Sequence, residues 1–424
     1  MTEIFKGNII YTKTPNKFDI IENGYIVVAN GKIQEVSDKL NEKFNGIEIH
    51  DFGNKLIIPG MNDLHLHAPQ YRNMGIGLDK ELLPWLNSYT FPEESKFSDL
   101  NYAKNTYKQL IRELWKQGTT RSVIFSSIHK NATKLLIDMF NDYGMSAFIG
   151  KVNMNRNSPD SLTEDTVQSL KDTEEIIKYC STKSKLVRPI ITPRFVPSCS
   201  QKLMDGLGKL AEKYSLPVQS HLSENVDEIA WVKELHPESK SYGHVYDSFG
   251  LFGTTPTLMA HCIYSSKEEI ELIKSKNVRI VHCPTSNMNI GSGIMPCRKY
   301  LDLKIPVCLG TDISGGSNLS MIKCIVYAIQ LSKLYWIQSK KKYKFLSTSE
   351  AFYMATKAGG SFFGKVGSFE KSYSFDALII DDSDLNSFGY SIEHRLERFL
   401  YTGDDRNIVY RYIEGSLVKD PNLL

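Results

Sequence analysis

Eight strand-like runs alternate with helical stretches through the middle of the 424-residue chain. These runs are 55–67, 119–127, 146–154, 186–195, 216–224, 256–264, 278–287 and 305–312. Helical periodicity is clearest over 102–115, 164–179, 201–214 and 267–274. Such alternation predicts parallel strands joined by crossover helices, either as a (β/α)₈ barrel or as an open doubly wound sheet. The predicted fold class is therefore α/β.

The positions of the candidate catalytic side chains favour the barrel over the open sheet. They fall at the carboxyl ends of the first, fourth, fifth, sixth and eighth runs. Barrel active sites lie at that face and draw on several strands, whereas an open sheet places its site at one switch point. We therefore predict that residues 58–367 form a TIM-like (β/α)₈ catalytic domain.

Both ends of the chain carry short β-rich patterns. The runs concerned are 8–11, 24–28, 32–36, 375–380 and 407–412. Asn30 and Gly31 separate two of them and predict a tight hairpin turn. We predict that residues 1–57 and 368–424 pair into one small flanking β-sandwich domain.

Composition excludes several kinds of partner. The net charge of +3 is too small to predict binding to nucleic acid or to an anionic membrane. No stretch approaches the roughly 20 apolar residues of a membrane span, and the N-terminus lacks the apolar core of a signal peptide. The seven cysteines lack CxxC spacing, so we expect reduced thiols in a cytoplasmic protein. Strand alternation predicts that Cys262 and Cys283 face the packing helices.

Histidines and acidic residues at the ends of the runs suggest a metal site. His65 and His67 are two apart, so on a strand both point to the same face. Taken alone, such a pair is more often hydrogen-bonded or solvated. The further candidates are His221, Glu224, His261 and Asp312. Because residues three apart on a strand face opposite sides, Glu224 can join His221 only if the chain turns between them.

This set of residue types predicts a hydrolytic reaction. Three histidines and one aspartate can hold a divalent ion and leave a position for water, whose pKa the ion lowers. A carboxylate that is not a ligand can then move a proton between water and substrate. The target would be an electron-poor carbon in an amide, an amidine or an amine-bearing heterocycle. Histidine-rich ligation favours zinc over iron.

Several blocks of the sequence resemble the amidohydrolase superfamily and, more specifically, its guanine deaminase family. The run Pro-Gly-Met-Asn-Asp-Leu-His-Leu-His over 59–67 and the Gly-Thr-Asp at 310–312 are similar to motifs of the whole superfamily. The more specific blocks are His-Ala-Pro-Gln-Tyr at 67–71, the segment 85–94, Pro-Arg-Phe at 193–195 and His-Leu-Ser-Glu-Asn at 221–225. Thr285 and Ser314 depart from the family pattern, beside the site and not among its ligands.

The resemblance implies a role for each candidate residue. One zinc ion per subunit would be held by His65, His67, His221 and Asp312. Glu224 would protonate the ring nitrogen and later the departing amine, while His261 would contact the attacking hydroxide or the tetrahedral centre. The purine would be held by Gln70, Arg194 and Phe195. Each of these three also has a structural interpretation, as a loop polar residue, an ion-pair member and a core residue respectively.

The implied reaction is the hydrolytic deamination of guanine to xanthine and ammonia, in purine catabolism or salvage. A near alternative is another mononuclear deaminase or chlorohydrolase acting on a related N-heterocycle. Binuclear members carry a modified bridging lysine at the end of the fourth strand, where this chain has Arg194, so one metal is implied. A non-catalytic scaffold would lack ligands that are present here. Similar proteins are commonly homodimers, so a homodimer is expected, with guanine as the small-molecule substrate.

Overall fold

The chain forms a mixed α/β structure, described here for residues 2–183 and 185–421 of a computed structural model. Within those residues the strands, numbered in chain order, are β1 (Thr2–Thr14), β2 (Lys17–Ala29), β3 (Lys32–Ser37), β4 (Ile49–Pro59), β5 (Met61–His67), β6 (Thr119–Phe125), β7 (Ser146–Gly150), β8 (Val152–Asn153), β9 (Val187–Pro189), β10 (Thr192–Pro193), β11 (Val218–Leu222), β12 (Thr257–His261), β13 (Arg279–His282), β14 (Val307–Leu309), β15 (Ala377–Ile380), β16 (Ile408–Ile413) and β17 (Ser416–Leu417). The predicted α/β class is confirmed.

Helices separate most of the central strands. They are α1 (Leu82–Trp85), α2 (Phe91–Ser95), α3 (Leu100–Lys116), α4 (Lys130–Asp142), α5 (Thr166–Cys180), α6 (Gln201–Tyr214), α7 (Val226–Leu235), α8 (Tyr242–Ser248), α9 (Lys267–Ser275), α10 (Pro284–Asn289), α11 (Cys297–Asp302), α12 (Met321–Gln338), α13 (Thr348–Tyr353) and α14 (Ile392–Thr402). The four helical stretches predicted from periodicity match α3, α5, α6 and α9. In the described part of the chain, no helix combines the length and apolar character of a membrane span.

Eight of the central strands form two parallel sheets of four, while β8 and β10 form a separate parallel pair. One has the order β5-β6-β7-β9 and the other β11-β12-β13-β14. An isolated bridge between Ile191 and Val218 joins them on one side. On the other side, the Asp312 amide donates to the His65 carbonyl over 2.8 Å. Among the described residues, the strand ladders therefore form two halves rather than one continuous ring of eight.

Two predicted runs span a change of structure. The run 55–67 is divided at Gly60, so its first part lies in β4 and its second in β5. A side chain at Gly60 would collide with Thr120, and the Gly60 amide donates to the Asp376 carbonyl across the junction. The run 278–287 ends early because Pro284 is the first residue of α10, a position that suits its fixed φ. The apolar runs in the sequence could not by themselves show where these strands end.

Strands from both ends of the chain share one sheet. Its order in the described residues is β17-β16-β15-β4-β1-β2-β3, with β15 antiparallel to β4 and β1 parallel to it. Asn30 and Gly31 have φ values of 52° and 73°, the left-handed geometry of a tight hairpin turn, as predicted. A buried ion pair, from Arg121 Nε on β6 to Asp376 Oδ2 at 2.6 Å, ties this sheet to the central strands.

An apolar cluster lies between the two parallel sheets. Its members come from strands of both halves and include Leu64, Val123, Phe148, Leu258 and Val281. Cys283 belongs to this inner cluster, so the prediction that it faces the helices is wrong. The alternation rule failed there because the strand ends at His282 and the backbone direction changes. Cys262 packs in the outer cluster against helices, as predicted.

Candidate active site

The structure brings the four predicted metal ligands together at the carboxyl ends of the strands. His65 and His67 lie on β5 and His221 lies on β11, while Asp312 follows β14. One ligand atom from each lies within 4.8 Å of those of the other three. His65 Nε2 is 3.1 Å from Asp312 Oδ1, and the Nε2 atoms of His67 and His221 are 3.1 Å apart.

The donor atoms in this cluster suit a cation. The His221 Nδ1–H donates to the Arg194 carbonyl over 2.6 Å, so in the neutral ring its Nε2 carries a lone pair toward His67. His65 Nε2 and His261 Nε2 are both buried and face carboxylate oxygens, of Asp312 at 3.1 Å and of Glu224 at 3.4 Å respectively. Metal-binding histidines often donate their other ring N–H to a carbonyl, as His221 does to that of Arg194. Three imidazole nitrogens and a carboxylate match the preferences of zinc.

The protonation states favour ligation. Burial lowers the pKa of His67 and of His221 well below the usual range, and the neighbouring His65 adds to both shifts. Burial acts to raise the pKa of Asp312, but the nearby His65 and other histidines lower it by more. The pKa of Asp312 therefore lies well below its usual range. Neutral imidazoles beside an ionised carboxylate are the forms that bind a divalent ion.

The predicted turn before Glu224 is present. Strand β11 ends at Leu222, and Ser223 has a left-handed φ of 48°. The turn places Glu224 Oε2 3.4 Å from His261 Nε2, while Oε1 accepts a hydrogen bond of 3.1 Å from the Ser292 hydroxyl. Burial raises the pKa of the Glu224 carboxyl well above its usual range, and the charge of Asp312 adds to this. This environment favours the protonated form of Glu224.

Backbone geometry at two site residues is unusual. His261 has a φ of 74° and Asp312 a φ of 50°, both in the left-handed region. Non-glycine residues persist there only when the surrounding structure holds them. Asp63 supplies part of that support, because its Oδ1 accepts from the Thr311 amide over 2.9 Å. The contact joins the strand of His65 to the loop of Asp312.

A cavity of about 420 Å³, including the part open to solvent, lies beside the candidate metal ligands. Its wall contains all three predicted purine contacts, Gln70, Arg194 and Phe195, together with Glu224 and His261. Apolar side chains complete the lining, namely Leu82, Trp85, Leu86 and Ile290.

Two of the predicted purine contacts share a buried carboxylate that sequence reasoning missed. Arg194 Nη1 donates to Glu94 Oε2 over 2.6 Å, with both side chains 3% exposed. Gln70 Nε2 donates to Glu94 Oε1 over 2.8 Å. The structural interpretation of Arg194 as an ion-pair member is thus realised, and Arg194 also faces the cavity. Phe195 packs edge-on against Trp231 at 6.2 Å between ring centroids.

Other residues at the site were also missed. Asn287 Oδ1 accepts from His261 Nδ1 over 2.9 Å, and Glu228 Oε2 accepts from the Glu224 amide over 3.0 Å. A signal existed for Glu228, because Asn225 and Glu228 have the spacing of a capping box, which is present. Ser292 had no local signal. It reaches Glu224 only through the loop after α10.

Neither of the two departures from the family pattern lines the cavity. The Ser314 amide donates to Gln70 Oε1 over 3.1 Å, so Ser314 helps to hold a predicted purine contact through its backbone. Thr285 lies on α10, with Oγ1 3.9 Å from Cys324 Sγ. Neither is among the four clustered ligands. The cluster therefore does not depend on these two side chains.

The site and the parallel α/β architecture are those of a family of metal-dependent hydrolases. The Amidohydrolase family profile matches residues 56–418, and the chain belongs to this family. Its relatives include guanine deaminase from Dictyostelium discoideum, 40% identical with 98% of each chain covered, and guanine deaminase from Escherichia coli, 33% identical with 95% of this chain and 92% of that one covered. A crystal structure of guanine deaminase from C. acetobutylicum with guanine bound in the active site is 63% identical. It superposes with a TM-score of 0.98, covering 99% of this chain and 100% of that chain.

Proposed function

We propose that this protein is a guanine deaminase, a hydrolase of C–N bonds in cyclic amidines that converts guanine to xanthine and ammonia. One observation carries the proposal. The buried Glu224 carboxyl and three of the four clustered ligand residues line one cavity with the purine-contact candidates Gln70 and Arg194, and the three ligand residues are His67, His221 and Asp312. The guanine deaminases among its relatives support the same substrate.

We propose one zinc ion per chain, held by His65, His67, His221 and Asp312. When bound, zinc supplies a water that is activated at neutral pH. The 3.1 Å separation of the His67 and His221 Nε2 atoms supports the assignment, because two imidazole nitrogens this close can both coordinate one ion. Arg194 occupies the region where a bridging lysine would be needed for a second ion, and arginine cannot take that role.

Glu224 is the proposed proton carrier. Its raised pKa favours the protonated carboxyl, which can donate its proton to the ring nitrogen next to C2 of guanine. The resulting carboxylate then takes the proton of the oxygen that has added to C2 and passes it to the departing amine, so the C2 carbonyl forms as the C–N bond breaks and ammonia leaves. His261 lies between Glu224 and Asp312, at 3.4 and 3.7 Å, where it can donate to or orient the oxygen that attacks C2.

Three residues are proposed to hold the purine. Arg194 retains donors besides the one used by Glu94, and it is assigned to the C6 carbonyl of guanine. Gln70 is assigned to the edge of the ring system, and Phe195 supplies an apolar face in the same wall. Adenine presents an amino group at C6, which gives an arginine no acceptor. A site of this kind rejects it strongly.

We also propose the finer architecture. The two parallel sheets would form a (β/α)₈ barrel over residues 58–367, and the terminal sheet a small β-sandwich domain from residues 1–57 and 368–424. The ion pair between Arg121 and Asp376 would join the two. A cytoplasmic homodimer acting in purine catabolism or salvage, without nucleic-acid or membrane partners, completes the proposal.

Ammonia release tests the proposed function. Purified protein with one zinc per chain should release ammonia from guanine far faster than from adenine, cytosine or guanosine. Xanthine should accumulate in equal amount. Comparable rates on adenine or cytosine would contradict the guanine assignment and favour another mononuclear deaminase of the family.

A further inference from the structure

A single buried carboxylate accepts hydrogen bonds from two residues that line the cavity. Glu94 lies on α2, and its side chain accepts from Gln70 through one oxygen and from Arg194 through the other. Glu94 does not itself contribute to the cavity wall as described. We infer that Glu94 is a positioning residue that sets the orientation of both donors, and so determines selectivity for a 6-oxopurine.

The carboxylate fixes which way the Gln70 amide points. Gln70 Oε1 accepts from the Ser314 amide over 3.1 Å, and Nε2 donates to Glu94 over 2.8 Å. A rotation of the amide by half a turn would place oxygen against the carboxylate and N–H against the N–H of Ser314. Both contacts would then be lost. One N–H of Gln70 remains, in a direction that the two partners determine.

The helix that carries Glu94 also fixes the Arg194 guanidinium. The ring of Phe91, on the same helix, lies 5.1 Å from the guanidinium carbon. One face of the guanidinium thus meets an aromatic ring while one N–H meets the carboxylate at 2.6 Å. The Phe91 ring and the Glu94 carboxylate together restrict the orientation of the Arg194 guanidinium. Its other N–H groups are held in place before any substrate enters.

The same helix follows directly on a segment that lines the cavity. Leu82, Trp85 and Leu86 line it, and the chain continues from them into α2. The ion pair between Glu94 and Arg194 therefore links α2 to the residue that follows β10. Loss of the bond would loosen both sides of the purine site, and a misplacement of about 1 Å can lower a rate by about 10²-fold.

Glu93 offers a matched control one residue away. It is also buried, at 7% exposure, and it pairs with Lys96 Nζ at 2.7 Å and with the Tyr102 hydroxyl. These partners do not line the cavity. Glu93→Gln therefore removes a comparable charge from the same helix without touching Gln70 or Arg194. A general defect of the helix would affect both variants alike.

The inference rests on the proposed function, and inhibitor pairs separate the two. Hypoxanthine and purine lack the amine that is removed, and only hypoxanthine carries the 6-oxo group. The ratio of their competitive inhibition constants in the guanine assay reports recognition of that group. In the wild-type zinc enzyme, hypoxanthine should bind much more tightly than purine. A wild-type protein inactive on guanine, or without this preference, would overturn the proposed contacts and this inference together.

Glu94→Gln decides the inference when the wild type behaves as proposed. We expect kcat/KM for guanine to fall by about 10²-fold, the inhibitor preference to fall at least tenfold, and zinc content to stay at one. Glu93→Gln should keep the preference. An unchanged preference in Glu94→Gln would overturn the inference. Glu94→Asp, which retracts the carboxylate, should lose the preference too. If both Glu94 variants fail to fold, Glu94 serves stability and the inference is overturned as well.

Discussion

The Nε2 atoms of His67 and His221 lie 3.1 Å apart, with His67 buried and His221 partly buried. Neither ring gains from protonation, because burial lowers the pKa of each. In neutral rings, two nitrogens this close can both coordinate one divalent cation. This relationship is the strongest physical support for a metal at the site, and the first prediction depends on it.

Removal of one ligand should empty the site. His221→Ala leaves two histidines and one aspartate, which weakens coordination sharply. Elemental analysis should show close to one zinc per chain in the wild type and close to none in the variant. His244→Ala is a matched control, because that histidine lies outside the clustered residues on α8. A wild-type stoichiometry near two would contradict the mononuclear assignment.

Glu224→Gln should retain zinc and fold but lose most activity. Glutamine keeps the size of the side chain and can still accept from Ser292, but it cannot carry a proton. General acid–base groups typically contribute ~10²–10⁴-fold to the rate. Steady-state ammonia release, together with zinc content, measures the effect. Near-normal turnover would remove Glu224 from the mechanism, and loss of zinc would reassign it as a ligand.

Arg194→Met should reduce guanine turnover by about 10⁴-fold without removing zinc, because the 6-oxo group loses its charged donor. The variant also leaves the buried Glu94 with only Gln70 as a side-chain donor. Arg194→Met combined with Glu94→Gln removes that unpaired charge and should recover stability but not activity. Thermal unfolding and kcat/KM measured on both variants separate the two effects. A single variant that still prefers guanine strongly would refute the substrate assignment.

Glu228 should make the stability of the protein depend on pH. Burial, with the charge of Glu224, raises the pKa of Glu228 to about 7. The folded state therefore binds this proton more tightly than the unfolded chain, so the stabilisation is present at low pH and is lost as pH rises to about 7. The melting temperature of the wild type minus that of Glu228→Gln should therefore be smaller at about pH 8, above this pKa, than at about pH 5, below it. Glu271→Gln, at an exposed site on α9, should show no such trend.

The buried pair between Arg121 and Asp376 should stabilise the junction of the terminal sheet. Arg121→Met leaves Asp376 buried without its main cation, a change that typically costs about 3–5 kcal/mol. Denaturant unfolding measures it. Lys6→Met breaks an ion pair with Asp51 at the surface and should have little effect. Equal losses in the two variants would show that the buried pair has no special role.

Local sequence patterns determined much of the fold. The α/β alternation, four of the long helices and the Asn30-Gly31 hairpin follow from periodicity and turn chemistry, which act between residues close in the chain. Strand alternation likewise determined that His65 and His67 face the same way. The turn at Ser223 was required by the spacing of His221 and Glu224, and it is present.

Tertiary structure alone decided which distant residues meet. Glu94 pairs with Gln70, 24 residues away, and with Arg194, 100 residues away, and no local pattern specifies such a meeting. The inward direction of Cys283 depends on where β13 ends, and the break at Gly60 depends on Thr120 of a neighbouring strand. Short-range propensities act between residues close in the chain, whereas these contacts depend on how the two parallel sheets and α2 pack in space. The sequence alone therefore determined the candidate ligands, and packing decided their partners.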